Sequence, residues 1–144
     1  MTPVKLSMDD MQMIARYEQI TGAAAMDVVI DDESDRIIIV VRQGQLGKAI
    51  GRGGSNVKAA ADAFGRTIDV VESADTIEDF LKNALSPARV EKIKITETKD
   101  GSLIASVTVK SDDRGIAIGR DGRNVSRARI LAKRHFDLDN VTIV

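Results

Sequence analysis

One eleven-residue stretch occurs twice in the sequence and restricts what the chain can fold into. Residues 47–57 are GKAIGRGGSNV, residues 115–125 are GIAIGRDGRNV, and eight of the eleven positions are identical. Each copy follows a run of β-branched residues and precedes apolar residues at helical spacing. The chain of 144 residues is therefore predicted to contain two copies of one structural unit, each of roughly seventy residues.

Both halves are predicted to contain the same elements in the same order. The first half has predicted helices at 7–21, 45–50 and 55–64 and predicted strands at 26–30, 37–41 and 68–71. The second half has a helix capped by Asp75 and Glu78, strands at 90–98 and 103–110, the repeat's short helix before the glycine turn, a helix at 123–136 and a strand at 141–144. Each half therefore follows the order α-β-β-α-α-β.

The strands of each half are predicted to form one mixed sheet. Two strands joined by a short turn form an antiparallel pair, and a strand that returns after two helices usually runs parallel. The unbroken β-branched run Ile37–Val41 predicts a central strand that is buried on both faces. We therefore predict an α+β fold with two domains, residues 1–73 and 74–144, each a three-stranded mixed sheet backed by helices.

The charges are segregated along the chain, although the net charge is only −1. Residues 1–35 carry a net charge of −6, whereas residues 42–66 carry +4 and residues 114–134 carry +6. A single basic segment is commonly a solvated helix face. Because both basic segments coincide with the repeated motif, the pattern favours an anion-binding surface.

Two four-residue turns, Gly51–Gly54 and Gly119–Gly122, are predicted to join two helices each. Glycine allows positive φ and lets another backbone approach closely. The helix that follows each turn begins with free N–H groups and the positive end of the helix dipole, which favour an anion. Arg52 and Arg120 occupy the same place in the two turns and are predicted to add phosphate contacts.

Apolar residues flank both turns. We expect Ile50 and Val57 in the first copy, with Ile118 and Val125 in the second, to anchor the turns to the core. A platform of aromatic side chains for stacking bases is not expected. The aromatic residues all fall at predicted helix-core positions, and they are Tyr17, Phe64, Phe80 and Phe136.

Residues that support catalysis or metal binding are scarce in the sequence. There is no cysteine, and the single histidine, His135, is expected to have a structural or surface role. The acidic residues 31–35 lack the spacing and the glycine of a calcium loop and are expected to form a solvated hairpin connection. We therefore expect no enzymatic activity, no cofactor and no metal site.

The sequence also lacks the features of a membrane protein. No apolar run approaches the roughly 20 residues of a membrane span, and the N-terminus has no signal-peptide pattern. We expect a cytoplasmic protein that does not bind membranes. The sequence does not specify an oligomeric state, and we favour a monomer.

The pattern Ile-Gly-x-x-Gly-x-x-Val between two helices resembles the KH module, and the helix-first order resembles its type II form. Two such modules in tandem, both with Ala-Ile-Gly-Arg-x-Gly-x-Asn-Val, resemble the archaeal NusA family of transcription factors over nearly the whole chain. The resemblance implies single-stranded RNA as partner, with about four nucleotides clamped per module. It also implies a role in transcription termination or antitermination, with RNA polymerase as a second candidate partner.

The resemblance and the local charge together predict one set of RNA-binding residues in each module. The first set is Lys48, Ile50, Gly51, Arg52, Gly53, Gly54, Asn56 and Lys58. The second set is Ile118, Gly119, Arg120, Asp121, Gly122, Arg123, Asn124 and Arg127.

Asp121 places a negative charge inside the second turn. We therefore expect the first module to be the better clamp and the second to rely on its flanking arginines. The alternative is a protein-docking module, whose acidic N-terminal face binds RNA polymerase or a ribosomal assembly with little direct RNA contact.

Overall fold

The computed structural model describes residues 2–144 and divides into two compact units. Residues 5–73 form the first module. Residues 74–144 form the second module, and the start of the chain, up to Val4, belongs to it as well. The amide of Thr2 donates to the carbonyl of His135 at 2.6 Å, so the N-terminal residues lie with the second module. That the chain contains two separate domains, over residues 1–73 and 74–144, stays a prediction.

Both modules have the predicted order of helices and strands. The first module consists of α1 (Met8–Thr21), β1 (Ala25–Asp31), β2 (Arg36–Val41), α2 (Leu46–Ile50), α3 (Ser55–Phe64) and β3 (Thr67–Glu72). The second module consists of α4 (Ile77–Leu85), β4 (Val90–Glu97), β5 (Leu103–Val109), α5 (Arg114–Ile118), α6 (Arg123–Phe136) and β6 (Asn140–Ile143). One-turn 3₁₀ helices lie at Arg52–Gly54, Ser111–Asp113 and Arg120–Gly122. The predicted α+β class is confirmed.

Each module contains one three-stranded mixed sheet, as predicted. The strand orders are β1-β2-β3 and β4-β5-β6. The central strand of each sheet is antiparallel to the first strand and parallel to the last. All six residues of β2 are buried, which confirms the central strand that the β-branched run predicted.

The helices that open the two modules have side-chain caps. Ser7 and Asp10 form a capping box at the start of α1, and Gly22 ends that helix in the left-handed conformation. The predicted cap of α4 by Asp75 is wrong, because α4 begins one residue later. Thr76 has an extended backbone, and its hydroxyl accepts the amide of Asp79.

Most of the aromatic side chains lie in the cores of the modules, as predicted. Tyr17 of α1 is fully buried in the first module, and burial raises its pKa to about 12. In the second module Phe80 of α4 lies against the rings of His135 and Phe136 of α6, with centroids 5.4 and 5.3 Å apart. His135 is fully buried, so its role is structural.

We had expected the acidic hairpin of the first module to be solvated, but arginines bind several of its carboxylates. Arg36 is fully buried, and its guanidinium binds Asp31 at 2.8 Å and Asp69 at 2.9 Å. Arg66 lies within ion-pair distance of Asp32 and of a second carboxylate in the turn. These ion pairs neutralise part of the acidic segment. Over residues 2–144, no helix combines the length and the apolar character that crossing a membrane requires.

Candidate nucleic-acid interface

The short helix before each glycine turn is tied to the residue that precedes the hairpin. In the first module the side-chain oxygen of Gln45 accepts the amide of Ala24 at 3.1 Å. In the second module a carboxylate oxygen of Asp113 accepts the amide of Arg89 at 2.7 Å. The two contacts lie at equivalent places in the repeat, at the residue where each short helix begins.

The contact in the second module also involves two charges. The guanidinium of Arg89 donates to the Asp113 carboxylate through Nε at 2.8 Å and through a terminal nitrogen at 3.1 Å. These hydrogen bonds favour the ionised carboxylate and lower the pKa of Asp113 from 3.8 to about 2. Gln45 makes the corresponding contact without an ionisable group.

The first glycine of each turn has a backbone conformation that only glycine adopts readily. Gly51 has φ 75° and ψ 169°, and Gly119 has φ 78° and ψ 171°. A Cβ on Gly51 would lie 2.7 Å from Cγ of Asn56, and one on Gly119 would lie 2.8 Å from Cγ of Asn124. Both the dihedral angles and the close approach therefore require glycine.

The two asparagines that crowd these glycines hold the turns closed. The side-chain amide of Asn56 donates to the carbonyl of Lys48, and that of Asn124 donates to the carbonyl of Ile116, both at 2.7 Å. Each bond ties the helix after the turn to the helix before it. Asn56 and Asn124, which we predicted as RNA contacts, thus use their amide groups within the fold.

The helices that follow the turns have N-termini without side-chain caps. The residues at the cap positions are Gly54 for α3 and Gly122 for α6, and neither helix has a side-chain cap or an acidic residue in its first turn. Both α1 and α4 have such caps. No side chain therefore caps the positive ends of α3 and α6, which leaves their N–H groups to an incoming anion, although Asp121 lies in the turn just before α6.

Basic side chains surround both N-termini. Lys48, Arg52, Lys58 and Arg120 are exposed, and Arg123 is half-buried. None of these five forms an ion pair within residues 2–144.

Arg127, also predicted to contact RNA, lies in a different environment. Its guanidinium donates to the carbonyl of Ala84 through two nitrogens, at 3.1 and 2.8 Å. Ala84 lies in the last turn of α4, where carbonyl groups lack helical partners and the helix dipole favours a cation. Arg127 therefore joins α6 to the end of α4.

Asp121 occupies the position of Gly53 and has nearly the same backbone conformation. Its φ and ψ are 56° and 27°, against 64° and 20° for Gly53. The carboxylate is exposed, and within the described part of the chain neither Arg120 nor Arg123 forms an ion pair with it. The negative charge in the second turn is therefore not neutralised by its neighbours.

An open cleft of about 430 Å³ lies beside the second turn, between α6 and the edge strand β6. It is lined by Ile118, Gly122, Val125, Arg129, Thr142 and Ile143. Four of these residues, Val125, Arg129, Thr142 and Ile143, were not among the predicted RNA-binding residues, and Val125 was expected only to anchor the turn. The sequence did contain an indication of the last three: the last strand follows the basic helix and returns to the edge of the sheet beside that helix.

The flanking isoleucines differ from what we expected. Ile118 lines the cleft, and Val125 beside it is buried. Ile50 is 40% exposed, so the prediction that it anchors the first turn is wrong. The helix α2 has only five residues, and Ala49 is the one that it buries. An exposed isoleucine remains available to a ligand.

Comparison with known proteins shows which families contain this arrangement. The family model of the NusA-like second KH domain matches the chain twice, over residues 13–78 and 77–144. A Halobacterium salinarum protein named "Probable transcription termination protein NusA" is 43% identical over 140 residues, which are 97% of this chain and 98% of that protein. A Methanocaldococcus jannaschii protein of the same name is 30% identical over 145 residues, covering 100% of this chain and 77% of that one.

A solved structure has the same fold. The crystal structure of APE1850 matches this chain with a TM-score of 0.88 at 34% sequence identity. The match covers 96% of this chain and 100% of that one.

Proposed function

Because the chain belongs to the NusA-like family of KH-domain proteins, we propose that it binds single-stranded RNA as a factor of transcription termination or antitermination. The relatives from Halobacterium salinarum and Methanocaldococcus jannaschii are both named as transcription termination proteins. The observation that carries the proposal is the pair of uncapped helix N-termini behind glycine turns, each beside an arginine that forms no ion pair with residues 2–144. RNA polymerase is proposed as a second partner.

The proposed mechanism is binding, without a chemical step. A phosphate of the RNA backbone lies over each glycine turn, where the helix dipole and the arginine side chain, Arg52 or Arg120, both favour negative charge. Because the turn has no Cβ at Gly53, Gly54 or Gly122, the phosphate can approach the backbone closely. The bases then lie toward the apolar cleft.

The proposal predicts how RNA affinity depends on salt. If about four to six phosphates are neutralised, log K should fall with log salt at a slope of about −3 to −4, with ~−0.7 per contact for a single strand. The double variant Arg52→Glu with Arg120→Glu should weaken binding at least about tenfold and make the slope shallower by about 1.4. The affinity can be measured by fluorescence anisotropy of a labelled RNA.

A matched control is Lys99→Glu. Lys99 is exposed in the β4–β5 hairpin turn, at the other end of the sheet from the glycine turn. Its substitution by glutamate changes the net charge by the same amount as each arginine substitution. It should leave RNA affinity nearly unchanged. Unchanged affinity in the double arginine variant would favour the alternative, a docking module for RNA polymerase or a ribosomal assembly. The ion pairs of Asp31 and Asp32 reduce the free negative charge available for that alternative.

A further inference from the structure

One difference between the modules lies at the cleft, in the helix that follows the turn. The repeat places Arg129 of α6 at the position that Ala61 has in α3. It also places Thr142 of β6 at the position of Asp69 in β3. The cleft of the second module therefore contains a guanidinium where the first module has only a methyl group.

The guanidinium of Arg129 is held in place by the neighbouring strand. Its Nε donates to the carbonyl of Val141 at 2.9 Å, and this is its one hydrogen bond within residues 2–144. The two terminal nitrogens keep four N–H donors in a rigid plane. Arg129 forms no ion pair with a described residue, and none of the six residues that line the cleft is acidic.

The rest of the cleft offers few polar groups to a ligand. Ile118, Val125 and Ile143 supply an apolar surface on which the face of a base can pack. Arg129 presents only donors. A base in this cleft therefore meets an apolar floor and a fixed pair of donors at its edge.

We propose that Arg129 makes the second module select a base with two adjacent hydrogen-bond acceptors. This proposal rests on the proposed RNA-binding function. Guanine offers O6 and N7, and cytosine offers O2 and N3. Adenine and uracil alternate donors with acceptors along their edges, so each meets the paired donors of Arg129 with a single acceptor. The first module lacks this selection, because Ala61 has no donor and Asp69 is bound by Arg36 at 2.9 Å.

The test measures the affinity of the full chain for a short oligouridylate and for three derivatives in which one central uridine is replaced by cytidine, guanosine or adenosine. The wild-type protein should prefer the cytidine or the guanosine derivative by roughly fivefold or more, and the better of the two identifies the base. Equal affinity for all four RNAs would overturn the inference without any variant. No binding to any RNA would instead contradict the proposed function.

Variants show whether Arg129 is responsible for the preference. Arg129→Lys keeps the charge but loses the paired donors, so overall affinity should remain within about twofold while the base preference disappears. Arg123→Ala is the matched control: it removes a basic residue beside the turn and should weaken binding to all four RNAs equally. A preference that survives in Arg129→Lys, in protein whose circular dichroism matches the wild type, would refute the role of Arg129.

Discussion

The two glycine turns have the same backbone and different side chains. Gly54 and Gly122 have φ of 79° and 75°, and the corresponding first glycines, Gly51 and Gly119, differ by only 3° in φ. In contrast, Gly53 of the first turn is replaced by Asp121 in the second. The comparison shows that the close approach at the first glycine fixes the backbone, while exposed positions of the turn can change charge without changing its shape.

The surroundings of the turns differ in charge as well. The helix before the first turn exposes Lys48, where the second module has Ile116. The helix after the second turn carries Arg123 and Arg129, where the first module has small uncharged residues. Positive charge therefore lies on both sides of the first turn but mainly on the C-terminal side of the second. We infer that the modules make unequal contributions to one RNA-binding activity.

The largest expected effect comes from adding a methyl group to the first glycine of either turn. Gly51→Ala and Gly119→Ala should each lower the free energy of unfolding by at least about 2 kcal/mol, because crowding and an unfavourable backbone region each contribute about 1 to 3 kcal/mol. Urea denaturation followed by circular dichroism measures the loss. Similar losses in both modules would confirm that the two turns have one backbone requirement.

The matched controls are Gly47→Ala and Gly115→Ala. Both glycines lie in the short helices before the turns, and a Cβ there would meet no atom within 4 Å. Alanine favours a helix over glycine by up to about 1 kcal/mol, so these variants should be as stable as the wild type or more stable. If Gly47→Ala were as damaging as Gly51→Ala, the close contact with Asn56 would not be the reason for the loss of stability in Gly51→Ala.

A smaller effect is expected from exchanging the residue that distinguishes the turns. Asp121→Gly removes a negative charge from a proposed phosphate site, and glycine readily adopts the φ of 56° found there. RNA affinity at low salt should rise by about fivefold, which corresponds to about 1 kcal/mol for one charge in water. Gly53→Asp should have the opposite effect in the first module. A loss of affinity in Asp121→Gly would show that the carboxylate does not face the RNA.

The smallest effect concerns acid stability and the residue before the short helix. Arg89 holds the pKa of Asp113 near 2, below its ordinary 3.8, so the ionised carboxylate stabilises the folded second module above about pH 4. This contribution is lost as the pH falls from about 4 to about 2. In Asp113→Asn, the melting temperature should therefore fall less over this pH range than in the wild type. An equal fall in the wild type and in Asp113→Asn would mean that the Arg89–Asp113 contact has no net effect on acid stability. Gln45, at the equivalent place in the first module, does not ionise.

The features set by local sequence were predictable. The run of β-branched residues in β2 specifies a buried strand, because side chains on both faces must be apolar for such a position. The resemblance to the NusA-like KH family, derived from the repeated turn, is confirmed by the family match over both halves. The need for glycine at Gly51 and Gly119 also followed from the repeat.

The features that depend on tertiary contacts were not predictable from local patterns. Arg127 and Arg129 belong to the same basic helix, yet one binds the carbonyl of Ala84 and the other lies at the cleft beside β6. Charge alone does not distinguish them, since the difference comes from which neighbour faces each side of α6. The cap of α4 was assigned to the wrong residue because Asp75 and Thr76 are both good cap residues, and the local pattern does not distinguish them.

The central claim is that both glycine turns contact phosphates of single-stranded RNA. Titration of isotope-labelled protein with a short oligoribonucleotide, followed by amide chemical shifts, tests this most directly. The account predicts that the amides of Arg52–Gly54 and Arg120–Gly122 show the largest changes, and that the changes diminish as salt is raised. Saturable RNA binding that leaves these amides unchanged and shifts those of α1 instead would contradict it.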